Sequence, residues 1–132
     1  MDLEILKIAS NTENHKTLTD FSHSSNQKNP ICGDEMKIHL KISNNKILDF
    51  AYQCKSCIYC QASASVLSRI SINKTIDKIK ELVSFTETFF VNDKNIFPKE
   101  WKILNKLFNK KNLSRKECLL LPFKTLSKAL KL

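Results

Sequence analysis

The stretch Met36-Lys37-Ile38-His39-Leu40-Lys41-Ile42-Ser43-Asn44-Asn45-Lys46-Ile47-Leu48-Asp49-Phe50-Ala51-Tyr52-Gln53 decides the fold class. Met36, Ile38, Leu40 and Ile42 alternate with Lys37, His39, Lys41 and Ser43, the two-residue period of a strand with one face buried. Asn44-Asn45 then supplies a turn that tolerates positive φ. Residues 46–53 form the returning strand, with Ile47 and Leu48 on opposite faces. The outcome is a β-hairpin. His39 falls on its polar face and reads as a solvated strand residue rather than a ligand.

Downstream the period changes to that of helices. Ala62 to Ile70 has the small residues and spacing of a tightly packed helix, and Asn73 suits a left-handed turn at its end. Thr75 opens a helix to about Phe90, with Ile76, Ile79, Leu82 and Val83 on one face. Pro98 begins another, carrying Trp101, Leu104, Leu107 and Phe108. Ser114-Arg115-Lys116-Glu117 reads as a capping box that starts a last helix through Leu130, in which Pro122 removes a backbone bond or introduces a kink. Upstream, residues 2–9 suit a short amphipathic helix with Leu3, Leu6 and Ile5 on one side. Residues 10–30 are polar, rich in Ser, Asn and Thr, and read as an irregular surface segment.

A hairpin followed by helices predicts an α+β domain, a small antiparallel β-sheet packed against several α-helices. A chain of 132 residues is expected to be one domain, with a core over 29–132 and an N-terminal helix and irregular segment over 1–28. Met1-Asp2-Leu3-Glu4 has no basic start and no apolar run after it. No stretch reaches the ~18 apolar residues of a membrane span, so a soluble, cytoplasmic protein is expected. Net charge is +9, from 22 basic and 13 acidic residues. That excess could attract nucleic acid or an acidic protein surface. Only Arg69 and Arg115 are arginines, and the lysines are spread along the chain, so a solvated lysine surface is the simpler reading.

The chemistry lies in the cysteines. Five thiols without an export signal point to metal or sulfur chemistry rather than to disulfides. Cys32 and Asp34 stand two apart in Asn29-Pro30-Ile31-Cys32-Gly33-Asp34. In an extended segment both side chains then face the same way, and Gly33 lets the backbone come close to what they hold. Cys57 lies shortly before the helix that begins with Ala62-Ser63-Ala64-Ser65, and Cys118 lies in the first turn of the last helix. A helix dipole at either place favours the thiolate. Taken singly, each has a plainer reading: a tight turn for the first, close packing for the second, and a buried core cysteine for the third. Cys54 and Cys60 complete a Cys54-x-x-Cys57-x-x-Cys60 run. It falls short of a bacterial ferredoxin signature, because the following Cys-Pro is missing, and of a zinc ribbon, because there is no second knuckle. His15, His23 and His39 show no pairing with a cysteine, which disfavours a cysteine hydrolase.

In their order, the Asn-Pro-x-Cys-Gly-Asp segment, the hairpin, Cys57 five residues before an Ala-Ser run, and the late Cys118 resemble the U-type iron–sulfur scaffolds (IscU, SufU and the N-terminal domain of NifU) over residues 29–130. Cys54 and Ser56 stand where the family has glycines, and Glu117 stands where the IscU branch has histidine. The Leu-Pro-Pro-Val-Lys motif of that branch is absent, so the chain is more similar to the SufU and NifU side. The resemblance implies a small antiparallel sheet packed on helices, with Cys32, Asp34, Cys57 and Cys118 as ligands to iron or a transient [2Fe–2S] cluster. Cys54 and Cys60 would be additional thiols. A cysteine desulfurase would be the sulfur donor and apo-proteins the recipients, the chain being a scaffold rather than an enzyme. Zn²⁺ on the same ligands, with a sulfur-relay role, is the alternative, and a basic nucleic-acid-binding module is a third reading.

Overall fold

A computed structural model describes residues 3–30, 33–91 and 96–132. Its centre is the hairpin, now seen as two strands of a three-stranded antiparallel sheet in the order β1 (His23–Lys28), β2 (Glu35–Ser43), β3 (Lys46–Lys55). Asn44 and Asn45 have φ of 52° and 62°, the left-handed pair that a two-residue turn needs to match the strand twist. Met36, Ile38 and Leu40 are buried opposite Cys54, Tyr52 and Phe50. A register irregularity falls between Lys41 and Ile42.

The segment over 10–30 is not irregular throughout, because β1 runs through it and pairs with β2 from His23 opposite Leu40 to Lys28 opposite Glu35. Its sequence, HSSNQK, has no apolar residue to display the strand period. Polar bonds to the last helix hold it instead: the Ser25 hydroxyl donates to the Thr125 carbonyl (2.6 Å), and Lys128 Nζ donates to the Asn26 carbonyl (2.9 Å). His39 is likewise buried rather than solvated. Phe21 stacks on its ring at 4.1 Å, and its Nδ1 accepts the Leu18 N–H. Residues 18–21 cover the outer face of the sheet at this point.

Among the described residues four α-helices accompany the sheet: α1 (Leu3–Ala9), α2 (Ile58–Ser71), α3 (Ile76–Phe89) and α4 (Lys116–Leu130). In α1 the buried side is Ile5 and Ala9, while Leu3 and Leu6 are exposed, so of the expected face only Ile5 is buried. Helix α2 starts four residues before Ala62, so its small residues lie in mid-helix, where close neighbours need them. The Ser63 hydroxyl donates to the Leu119 carbonyl of α4 and that of Ser65 to the Asn11 carbonyl, both at 2.7 Å. Asn73 takes the left-handed conformation (φ 70°), and the Thr75 hydroxyl caps α3 by accepting the Lys78 N–H.

Pro98 does not begin an α-helix but precedes a 3₁₀ segment, Lys99–Lys106, followed by a second, Lys110–Arg115. Trp101 has non-helical angles that break the first, which still buries Trp101 and Leu104. The capping box does not form either. Ser114 belongs to the second 3₁₀ segment, and α4 begins at Lys116 with no side-chain cap. Pro122 does lie inside α4 and has no N–H to offer the Cys118 carbonyl one turn back. Among the described residues no helix is long and apolar enough to cross a membrane.

Candidate metal centre

Three chain segments meet at one end of the sheet. Asp34 immediately precedes β2, Cys57 follows β3 as the N-cap of α2, and Cys118 is the third residue of α4. Hairpin pairing fixes the first two, since Glu35 lies opposite Lys55. The contact between α2 and α4 brings the third. One ligand atom from each of Asp34, Cys57 and Cys118 lies within 4.8 Å of the others.

Asp34 is buried, and its two oxygens are used unequally. Oδ1 accepts the Cys57 backbone N–H at 3.3 Å, whereas Oδ2 is buried without a hydrogen-bond partner among the described residues. A buried carboxylate oxygen left unpaired costs on the order of 1–3 kcal/mol, a cost that a cation bound there removes. Two thiols and a carboxylate suit a tetrahedral iron or zinc ion. The helix-dipole expectation for Cys118 does not hold. Burial pushes its thiol up, and the Cys57 thiol and Asp34 carboxylate beside it push the same way. Cys118 therefore resists ionisation until a positive charge arrives.

Cys32 lies outside the described residues. Beside it, Gly33 has φ +77°, and no described atom lies within 4 Å of where its Cβ would stand, so backbone conformation rather than close approach explains the glycine. The Gly33 N–H donates to the Asn29 carbonyl and the Asn29 N–H to the Asp34 carbonyl, both at 2.8 Å. These bonds deliver Asp34 to the site.

Cys54 and Cys60 are not part of the three-ligand group. Cys60 is fully buried in the first turn of α2, where burial pushes its thiol well up. Cys54 is half-buried at the end of β3. The expectation that no histidine pairs with a cysteine is corrected here: His15 Nε2 lies 4.0 Å from Cys54 Sγ and 3.4 Å from the Cys54 backbone nitrogen, whose N–H it accepts. That pairing joins residues 39 apart through a bridge between His15 and Tyr52, which local spacing does not reveal. Sequence reasoning also missed a contact between the two helix starts. The Arg115 guanidinium sits 5.2 Å from the centre of the Tyr59 ring, linking the start of α4 to the start of α2. Glu117, beside Cys118, is paired with Lys124 at 3.1 Å.

Comparison with known proteins bears on the family and the fold. Residues 2–92 match the family model for the NifU-like N-terminal domain. The chain is 29% identical over 128 residues to the iron–sulfur cluster assembly scaffold protein IscU of Thermotoga maritima, covering 96% of this chain and 89% of that one. Among solved structures, a protein of Fervidobacterium islandicum AW-1 described as an iron–sulfur cluster assembly scaffold for the SUF system superposes with a TM-score of 0.89. It is 26% identical, with 98% of this chain and 96% of that one covered. A NifU-like protein (N-terminal) from Brucella abortus also reaches 0.89, at 23% identity and with 98% and 91% covered, a likeness of fold.

Proposed function

This chain belongs to the NifU-like N-terminal domain family, the U-type scaffolds, and we propose that it assembles an iron–sulfur cluster on Cys32, Asp34, Cys57 and Cys118 and passes it on. The observation that carries this reading is the meeting of Asp34, Cys57 and Cys118 around a buried carboxylate oxygen that has no partner among the described residues. Cys32, two residues from Asp34, supplies the fourth ligand. Iron and sulfide are cargo here, and the cluster built is [2Fe–2S], with sulfur from a cysteine desulfurase and acceptor apo-proteins as recipients.

Each residue has a definable part. Thiolates bind iron firmly and tolerate sulfide beside them, while a carboxylate oxygen holds iron less firmly, so Asp34 is the ligand at which the cargo leaves. The Cys57 N–H on Oδ1 fixes the carboxylate's orientation and leaves Oδ2 for iron. Buried neighbours such as Leu119 and Leu121 limit water at the Cys118 side. Loading displaces thiol protons, which burial, with the neighbouring Cys57 and Asp34, otherwise retains at Cys118.

The test is donation. Protein reconstituted without oxygen is mixed with an apo-ferredoxin, repurified, and the ferredoxin spectrum recorded. Transfer faster than from free iron and sulfide at equal concentration is expected. Transfer no faster than that control excludes a scaffold.

A further inference from the structure

The groove beside the metal centre has a nucleophile that the ligand set does not use. Cys54 and His15 line an open cavity of about 420 Å³, together with Glu35, Lys37, Gln53 and Lys55. His15 Nε2 faces Cys54 Sγ at 4.0 Å, within reach of a sulfur hydrogen bond, and accepts the Cys54 N–H, which requires a ring nitrogen carrying no proton. A thiol and an unprotonated imidazole in this arrangement form a nucleophile–base pair. Burial pushes the Cys54 thiol up and the nearby Ser56 hydroxyl pulls the other way. The thiol thus keeps its proton until a base removes it. Lys37 and Lys55 on the same wall favour an anionic reagent.

We propose that Cys54, with His15 as its base, is the entry point for sulfane sulfur, a thiol that takes sulfur from a persulfide donor without being a ligand of the metal centre. The inference rests on the scaffold reading for the sulfur's destination. His15 takes the Cys54 proton, and the thiolate attacks the outer sulfur of a donor R–S–SH. The donor S–S bond breaks as the new one forms, and the departing R–S⁻ takes the proton from His15. The products are Cys54–S–SH and R–SH, with no net oxidation. Cys54 stands three residues before Cys57, so sulfur enters beside the ligands while they remain free to hold iron.

The test exposes the full chain, with and without bound zinc, to glutathione persulfide, and locates persulfides by tagging and peptide mass spectrometry. Sulfur on Cys54 is expected in both states, and His15→Gln should slow its arrival at least about tenfold, the lower end of what a general base supplies being larger still. Sulfur that appears only on Cys32, Cys57 or Cys118, or a rate unchanged in His15→Gln, overturns the proposal. Cys54→Ser, which removes the acceptor with little change of shape, should keep the zinc content of the wild type while losing the label. If Cys54→Ser also loses its zinc, Cys54 is a ligand and the proposal falls. Wild-type protein that takes sulfur on Cys54 but binds neither zinc nor iron would instead count against the scaffold reading.

Discussion

Asp34 is where the candidate site is most exposed to a single substitution. Its Oδ2 has no partner among the described residues, and its oxygen chemistry makes it the weakest of the proposed ligands. Asp34→Ala removes the polar point at which water or an incoming ligand attacks, so an assembled cluster should persist longer, read as slower decay of visible absorption. Faster loss would contradict the role given to Asp34. Gly33 and His39 make predictions independent of any cargo. At φ +77° a side chain is strained, and Gly33→Ala should cost about 1 kcal/mol in urea unfolding. Burial, with the Lys37 charge as a smaller cause, holds His39 below its usual value of 6.5. The unfolded chain therefore binds a proton that the folded one refuses, and this contribution, present above about pH 6.5, is lost as pH falls below it. Urea midpoints should drop between pH 7.5 and 5, and less so in His39→Gln. Asp34, Cys57 and Cys118, which the structure brings together, could be singled out in the sequence because Cys-x-Asp spacing and a cysteine before an Ala-Ser run are local. His39 was misread because the ring of Phe21, 18 residues away in sequence, is what buries it.

Elements were legible where the pattern of side chains matched their own backbone needs. The hairpin is such a case: alternation on β2, two asparagines at the turn and an apolar return strand all agree. Helix α3 is another, and Thr75→Ala should cost about 1 kcal/mol, because only the threonine hydroxyl meets the Lys78 N–H. An unchanged urea midpoint would mean that the cap contributes nothing. β1 was not legible, since an edge strand of polar residues held by α4 has no apolar period to detect. The Ser114–Glu117 box misled for a related reason. Its residues suit a helix start, but the preceding 3₁₀ segment already occupies Ser114, leaving Arg115 as the N-cap with its guanidinium over Tyr59. That clasp joins the two helix starts that carry Cys57 and Cys118.

At the scale of the molecule, sheet, α2 and α4 place Asp34, Cys57 and Cys118, while an aromatic cluster fixes how the helices and 3₁₀ segments meet. Phe108 lies 5.4–5.7 Å from the ring centres of Phe89, Phe90, Phe97 and Phe123, so it ties α3, α4 and the connection between them together. Phe108→Ala should cost about 3–5 kcal/mol in urea unfolding, and a loss under 1 kcal/mol would show that the cluster is not a keystone of the fold. The composition foretold a core of this size but not its partners, because Phe89, Phe108 and Phe123 come from three different segments. The central claim, that this fold gathers its thiols and Asp34 to build a cluster, is tested most directly by anaerobic reconstitution with iron, cysteine and a desulfurase. Visible absorption, iron and sulfide are then measured for wild type, Cys32→Ser, Cys57→Ser and Cys118→Ser. Visible bands with matching iron and sulfide in the wild type, lost in each variant, are the expected result. A colourless wild type holding one tightly bound zinc, or bands that survive in the three variants, would contradict it.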